Sequence, residues 1–245
     1  MSAALEAIDV SRSFPAPGGP VHAVAHATFA VEPGELVAVR GRSGSGKTTL
    51  LNLMGGLDRP TAGQVLVDGV DPATLGEAAL MSLRRERVAF VFQSFGLVAE
   101  LTAEENVEVP LRLLRVPADE RADRVAAALR DVGLSSHARH TPGQLSGGQQ
   151  QRVGVARAVV AGPAVLLADE PTGQLDSTTG LEIMALLQRL AHERGMAALV
   201  ATHDPLLLRD ADRVLEMHDG RLRAPTGHPT DADATTTSRS ATRPS

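Results

Sequence analysis

The chain lacks cysteine, tryptophan and tyrosine, and 23 of its 24 basic residues are arginine, which leaves a single lysine, Lys47. Without cysteine, the chain forms neither disulfides nor thiolate metal sites. The longest apolar stretch, residues 158–168, contains Gly162 and Pro163 and is too short to span a bilayer, which takes about 18 or more apolar residues. The net charge of −5 provides no positive field that would attract nucleic acid, and we expect no nucleic-acid partner.

Hydrophobic residues make up 43% of the 245 residues, which is enough for a substantial core in one α/β domain. Apolar segments of strand length alternate with segments of helical periodicity, and this order favours a largely parallel sheet. The first predicted helix follows a glycine-rich loop and ends early, at Gly55 and Gly56. The predicted strands are residues 21–31, 35–40, 65–67, 88–92, 165–169 and 197–202, and the other predicted helices include residues 118–132 and 177–194.

The glycine-rich loop at residues 41–48 fits the pattern G-x-x-x-x-G-K-[ST] between a predicted strand and a predicted helix. Its glycines let backbone N–H groups face a phosphate, and the helix N-terminus adds a partial positive charge. A flexible turn would explain the glycines, but not the only lysine of the chain at the position where a compact ammonium holds β- and γ-phosphates. We therefore predict a nucleotide site, with the Thr48 hydroxyl offered to Mg²⁺. Its candidate loop residues are Gly41, Arg42, Ser43, Gly44, Ser45, Gly46, Lys47, Thr48 and Thr49.

Two acids, Asp169 and Glu170, follow the apolar residues 165–168. Taken alone, a buried strand with a solvated acidic end would explain them at least as well as a catalytic role. Downstream of a phosphate loop, the functional interpretation is favoured. We predict that Asp169 binds Mg²⁺ and that Glu170 polarises the attacking water.

A second anion-binding device is predicted at the sequence L-S-G-G-Q, which Q-Q-R follows directly. The serine is expected to cap a helix, and the two glycines leave the N-terminal amides of that helix accessible. A plain loop before a helix would not require this sequence. One chain therefore carries two devices that bind phosphate. The residues of the second are Leu145, Ser146, Gly147, Gly148 and Gln149.

These motifs, in this order, resemble the ATP-binding subunits of ABC transporters over about residues 4–223. The resemblance implies a P-loop NTPase core with a mostly parallel sheet, an antiparallel β subdomain and an inserted α-helical subdomain at about residues 95–160. It also implies an ATPase that forms a head-to-tail homodimer around two ATP–Mg²⁺, each enclosed by the phosphate loop of one copy and the L-S-G-G-Q of the other. Residues 224–245 contain no Leu, Ile, Val, Phe or Met and are expected to be disordered.

The same resemblance implies further site residues. Gln93 matches the glutamine that contacts Mg²⁺, and His203 matches the switch histidine at the γ-phosphate. Taken singly, Gln93 could be a surface-loop residue and His203 a histidine at a strand end. Their order in the chain and their placement after strands favour a role in the nucleotide site. Asp176 matches the D-loop at the dimer interface. Phe14 stands where an aromatic side chain stacks on adenine, and a core or loop position would explain it as well.

Part of the chain is similar to one branch of that family, the lipoprotein-release and macrolide-export ATPases. The similar segments are residues 56–60, 90–93, 105–107 and 166–173. The branch implies a membrane permease with a large extracytoplasmic domain, contacted through residues 93–106 from the cytoplasmic face of the membrane. It also includes ATPases that switch extracytoplasmic enzymes instead of driving transport, and the sequence leaves this alternative open. Two positions depart from the branch, which usually has Asn where Gln174 stands and commonly has Ala where Gly154 stands.

Overall fold

The computed structural model describes residues 3–223, so the expectation of disorder at residues 224–245 falls outside the described part of the chain. All predicted strands and helices are present, with ends shifted by a few residues at most. The strands are β1 (Leu5–Phe14), β2 (Val21–Val31), β3 (Leu36–Arg40), β4 (Ala62–Val67), β5 (Val88–Phe92), β6 (Val165–Asp169), β7 (Ala197–Thr202), β8 (Arg213–His218) and β9 (Arg221–Arg223). The helices are α1 (Lys47–Met54), α2 (Glu77–Arg87), α3 (Ala103–Leu113), α4 (Ala118–Asp131), α5 (Gly147–Val159) and α6 (Ser177–Arg194).

The larger sheet has six strands in the order β5-β6-β7-β3-β8-β9. Strands β5 to β8 pair in parallel, and only β9 runs antiparallel to its neighbour. The carboxyl ends of parallel strands share one edge of a sheet, and ligands of open α/β sheets bind outside that edge. The loops that follow β3, β5, β6 and β7 therefore converge.

The smaller sheet is antiparallel, in the order β2-β1-β4. It is joined to the larger sheet near the turn after β8, where the Ala25 N–H donates to the carbonyl of Gly220 at 2.7 Å. The two sheets together with the helices confirm the predicted α/β architecture of a mostly parallel core and an antiparallel subdomain.

The core lies on both faces of the parallel sheet. Alternate residues of β3 point to opposite faces, so Val37 and Val39 pack with α1 and the antiparallel sheet, while Leu36 packs with the helices of the other face. Helices α3, α4 and α5 pack on one another within the predicted helical subdomain, whose boundaries stay a prediction. Within residues 3–223, no helix has the length and apolar character needed to cross a membrane.

Helix α1 ends where the glycines predict. The N–H of Gly55 closes the helix at the carbonyl of Leu51, and Gly56 has a positive φ of 64°. A Cβ added at Gly55 would lie 2.2 Å from the ring of Phe90, so the glycine also permits close packing on β5. Helix α2 was not predicted, and none of its residues is buried.

Helix α3 begins at a capping box formed by Thr102 and Glu105. The Glu105 N–H donates to Thr102 Oγ1 at 3.3 Å, and Glu105 Oε2 accepts from the Thr102 N–H at 2.8 Å. One turn on, the fully buried Asn106 holds the preceding loop. Its Oδ1 accepts from the Val98 N–H at 2.8 Å, and its Nδ2 lies within 3.1 Å of the carbonyls of Val98, Leu101 and Thr102.

We expect Asn106→Leu to lower the free energy of unfolding by about 1–3 kcal/mol, because it leaves the part-buried Val98 N–H and Leu101 carbonyl without the partner that Asn106 provides. Urea denaturation followed by circular dichroism measures this loss. Leu113→Gln, at the exposed end of the same helix, is the control and should change the free energy by less than about 0.5 kcal/mol. Equal losses in both variants would contradict the prediction.

Candidate functional site

The phosphate loop leaves β3 at the carboxyl edge of the sheet and leads into α1. Its glycines are required by close contacts, since a Cβ added at Gly41 would lie 2.5 Å from Ser45 Oγ. At Gly46, where φ is 108°, a Cβ would lie 2.1 Å from the carbonyl oxygen of Ala23. Helix α1 has no side-chain cap at Gly46, so its first amides are open to an anion.

Gly44 and Gly46 form a matched pair for testing this packing. Both have positive φ, but a Cβ added at Gly44 would meet nothing within 4 Å. We expect Gly44→Ala to lower the free energy of unfolding by about 1–2 kcal/mol, the usual strain of a left-handed alanine. Gly46→Ala should lower it by clearly more and weaken nucleotide binding, because the loop must move away from Ala23. Thermal unfolding and nucleotide titration of both variants measure the two losses. Equal losses in Gly44→Ala and Gly46→Ala would contradict the prediction.

Lys47 lies back along the loop and is 7% exposed. Its Nζ donates to the carbonyls of Gly41 at 2.7 Å and Arg42 at 3.2 Å, and it lies 3.3 Å from Glu170 Oε1. The ammonium is therefore held between two carbonyls of the loop and the acid that follows β6. A phosphate at the N-terminus of α1 would lie within reach of it.

Thr48 and Asp169 meet across the cleft, where Thr48 Oγ1 donates to Asp169 Oδ2 at 2.8 Å. The other carboxylate oxygen, Oδ1, is buried and has no hydrogen-bond partner among residues 3–223. Burial, opposed by the hydrogen bond from Thr48, raises the pKa of Asp169 above its ordinary value. Although the described residues contain no cluster of three His, Asp or Glu, Mg²⁺ takes only one or two carboxylates beside substrate phosphates. These oxygens therefore fit Mg²⁺.

Glu170 has a left-handed backbone, with φ of 47°, directly after β6. Its Oε2 is 2.8 Å from His203 Nδ1 and accepts from the His203 N–H at 3.3 Å, while its Oε1 faces Lys47. A non-glycine residue in this conformation is strained by about 1–2 kcal/mol, and such strain is concentrated at functional sites. Glu170 and His203 are thus held together at the ends of two neighbouring strands.

The converging loops enclose an open cleft of about 830 Å³. Gln93, which follows β5, lines the cleft. Its side chain packs on Gly173, where an added Cβ would lie 2.6 Å from Gln93 Nε2. The predicted residues that line the cleft are Gly41, Arg42, Ser43, Gly44, Gly46, Lys47, Thr48, Thr49, Gln93, Asp169, Glu170 and His203. Ser45 is buried within the loop itself.

The remaining predicted residues lie elsewhere. The ring of Phe14 is 38% exposed, outside the cleft lining, with the Arg12 guanidinium 4.5 Å from its centroid. Asp176 caps α6 and accepts from the Thr179 N–H at 3.0 Å; hydrogen bonds from Thr179 lower the pKa of Asp176. Residues 145–149 also lie outside the lining, so the two predicted anion devices do not share a cleft within one chain.

The L-S-G-G-Q segment has the local structure that was predicted for it. Ser146 caps α5 through Oγ, which accepts from the Gln149 N–H at 3.3 Å. Gln149 Oε1 accepts in turn from the Ser146 N–H at 2.9 Å, and Gln149 Nε2 is 3.2 Å from His137 Nε2. The amides of Gly147 and Gly148 thus begin a capped, ordered helix.

Four residues that line the cleft were not predicted, namely Arg40, Glu216, Met217 and His218. The last three come from β8, which pairs with β3 so that Glu216 lies opposite Arg40, with 3.6 Å between Glu216 Oε1 and Arg40 Nη1. The only feature of the sequence that could have indicated these residues is the polar character of the strand end before the turn at Asp219.

The family model described as ABC transporter matches residues 24–173. The Macrolide export ATP-binding/permease protein MacB of Salmonella choleraesuis is 46% identical over 222 residues, which cover 91% of this chain and 34% of that protein. The chain therefore spans about a third of the length of this curated relative.

Solved structures show a similar fold. The dimeric structure of MJ0796, a bacterial ABC transporter cassette, is 40% identical and superposes with a TM-score of 0.80 over 89% of this chain and 96% of that one. A dimeric structure of the same cassette in a post-hydrolysis state, bound to ADP and Pi, gives the same identity, coverage and TM-score.

Proposed function

The chain belongs to the ABC transporter family as an ATPase cassette, and from this we propose that it binds and hydrolyses ATP as one half of a head-to-tail dimer that powers a membrane permease. The observation that carries the proposal is the separation of its two anion-binding devices. The cleft at Lys47 is open, and the capped helix that begins at Ser146 contributes nothing to its lining. A second copy, placed head to tail, would supply that helix to the cleft.

Each cleft residue has a role that follows from its chemistry. The amides of residues 41–46 and the Lys47 ammonium hold the β- and γ-phosphates. Thr48, Asp169 and Gln93 would hold Mg²⁺ through oxygen atoms, and the bound ion would neutralise charge that develops on the phosphates. The unpartnered Oδ1 of Asp169 supports this assignment because a buried carboxylate oxygen needs a partner.

Glu170 is the residue that polarises the attacking water. Its carboxylate, with 18% of the side chain exposed, lies between Lys47 and His203, so it borders the phosphate-binding region without being buried from water. His203 keeps the carboxylate oriented through Nδ1 and would contact the γ-phosphate through the opposite ring nitrogen. The sequence order of these residues matches the family, and their convergence in one cleft supports the assignment.

Residues 93–106 supply the contact to the permease, at the cytoplasmic face of the membrane. The segment begins at Gln93 in the cleft and ends at Asn106, which anchors it, while Val98 between them is 44% exposed. A displacement of this surface would therefore reach the cleft directly. The relative named above combines ATP-binding and permease functions in its name, and we infer a permease with a large extracytoplasmic domain as the partner here.

The dimer is tested by sedimentation of Glu170→Gln with ATP and Mg²⁺. This change keeps the size of the side chain but removes the group that polarises water, so ATP should stay bound and a stable dimer should accumulate. ADP in place of ATP should leave a monomer. Asp176 and Phe14 are proposed to contribute the D-loop contact and adenine stacking in the same complex.

The matched control carries Ser146→Arg in addition to Glu170→Gln. A bulky cation at the cap of α5 should prevent the second copy from closing on the phosphates, so the double variant should stay monomeric while each chain still binds ATP. A Glu170→Gln chain that stays monomeric at saturating ATP would overturn the proposed dimer. A double variant that dimerises as well as the single one would remove residues 145–149 from the interface.

A further inference from the structure

Gln151 is a fully buried polar residue to which neither the motifs nor the proposed chemistry gives a role. It lies on α5, one turn beyond the Ser146 cap, and is 0% exposed. Buried amides persist in proteins where their hydrogen bonds are made, because an unpaired polar group is costly to bury. The partners of Gln151 therefore indicate what the residue does.

Its side chain joins the two strand ends that carry predicted site residues. Gln151 Nε2 donates to the carbonyl of Pro171 at 2.5 Å and lies 3.4 Å from the carbonyl of Phe92. Phe92 directly precedes Gln93, and Pro171 directly follows Glu170. One amide group thus spans the ends of β5 and β6 at the residues next to both cleft side chains.

The orientation of this amide is set by its partners and leaves one group unsatisfied. Both partners are carbonyls, which only accept, so the NH₂ group must face them. The carbonyl oxygen of the side chain, Oε1, is buried and has no hydrogen-bond partner among residues 3–223. An apolar side chain of the same size would fill the space without that unsatisfied oxygen, so filling the core does not account for glutamine at this position.

Two further residues on the same side of α5 contact the loop that follows Gln93. At Gly154, one turn after Gln151, a Cβ would lie 3.2 Å from the carbonyl oxygen of Phe95. Arg157, another turn on, donates to the carbonyls of Phe95 at 3.1 Å and Gly96 at 2.5 Å. The helix that begins at the L-S-G-G-Q segment is thus hydrogen-bonded to residues 92–96 at Gln151 and Arg157, and it packs closely on them at Gly154.

We propose that Gln151 is a positioning residue for ATP hydrolysis, which fixes Gln93 and Glu170 relative to each other and to the N-terminus of α5. The inference rests on the proposed function, because it assigns Gln93 and Glu170 to that reaction. Loss of the two donated hydrogen bonds lets the strand ends separate without altering the phosphate loop. Displacements of about 1 Å at reacting groups lower rates by up to about 100-fold, so turnover should suffer while ATP binding does not.

The experiment compares Gln151→Leu with Gln188→Leu in the full chain. Gln188 is a half-buried glutamine on α6 that is not among the residues lining the cleft, so its replacement removes an amide without touching the site. We measure kcat, the ATP dissociation constant and the unfolding midpoint of each. Gln151→Leu should lower kcat at least about tenfold with the ATP dissociation constant within about twofold of wild type, and Gln188→Leu should leave kcat unchanged.

A second variant, Gln151→Asn, keeps the donor group and shortens the side chain by one methylene. Its kcat should lie between those of wild type and Gln151→Leu. If the leucine variant does not fold, Gln151→Asn replaces it in the test, and a kcat equal to wild type would then overturn the inference. A Gln151→Leu protein with wild-type kcat, or one whose kcat and ATP affinity fall equally, overturns it as well. A wild-type chain without turnover would overturn the proposed function and this inference together, so the two failures are distinguishable.

Discussion

Glu170→Gln should lower ATP turnover by about 10²–10⁴-fold, the range that a positioned general base contributes. The expectation follows from the carboxylate between Lys47 and His203, which is oriented by both and still partly exposed to water. The amide of glutamine can accept through only one of its two positions, and it does not take up a proton. ATP affinity should stay within a few-fold of wild type, since the phosphates are held by the loop and by Lys47.

The control for this loss is Glu216→Gln. Glu216 lines the same cleft, but it pairs with Arg40 at 3.6 Å, and its side chain is 44% exposed. A general effect of removing negative charge from the cleft would lower turnover in both variants. Steady-state release of phosphate measures the two rates. A Glu170→Gln protein that retains more than about a tenth of wild-type turnover would contradict its assignment as the base.

Lys47→Arg should weaken ATP binding by about 10–100-fold although it preserves the charge. The ammonium lies 2.7 Å from the carbonyl of Gly41 in a loop that has no room for a Cβ there, and the whole side chain is 7% exposed. A planar guanidinium is larger and donates in a fixed fork, so it cannot take the same place. The loop must then open, and the phosphates lose a charge-assisted hydrogen bond.

Fluorescent-nucleotide titration measures this affinity, and the unfolding midpoint shows whether the loop change also destabilises the fold. Arg59→Lys, at an exposed position, serves as the control for an arginine–lysine exchange. Binding by Lys47→Arg within about threefold of wild type would show that charge alone suffices and that the shape argument is wrong.

The features that could be predicted from sequence are those set by local pattern. The loop at residues 41–48 is bounded by glycines that its contacts require, and α6 begins at the capping Asp176 and ends before Gly195, which has a left-handed backbone. Helix α2 was not found in this way, since none of its residues is buried and its C-terminal part is the charged run of residues 84–87.

Contacts that depend on the order of strands in the sheet could not be predicted from local sequence patterns. Glu216 reaches the cleft only because β8 lies beside β3, and the pairing of strands so distant in sequence leaves no trace in short windows. Gln151 stood within a motif-like run, but its partners are the carbonyls of Phe92 and Pro171, which become neighbours only when β5 and β6 pair. For Phe14, the resemblance to the family predicts stacking on adenine. The ring lies outside the residues that line the cleft, so stacking stays a prediction.

The single lysine makes the site chemically addressable. Lys47 Nζ is the only side-chain amine in the chain, so an amine-selective reagent has one side-chain target, and that target lies at the phosphate loop. Acylation of Lys47, followed by mass spectrometry of the intact protein, would report site occupancy without an engineered label. Bound nucleotide should slow this modification, and the extent of protection would provide an occupancy scale for every variant described above that retains Lys47.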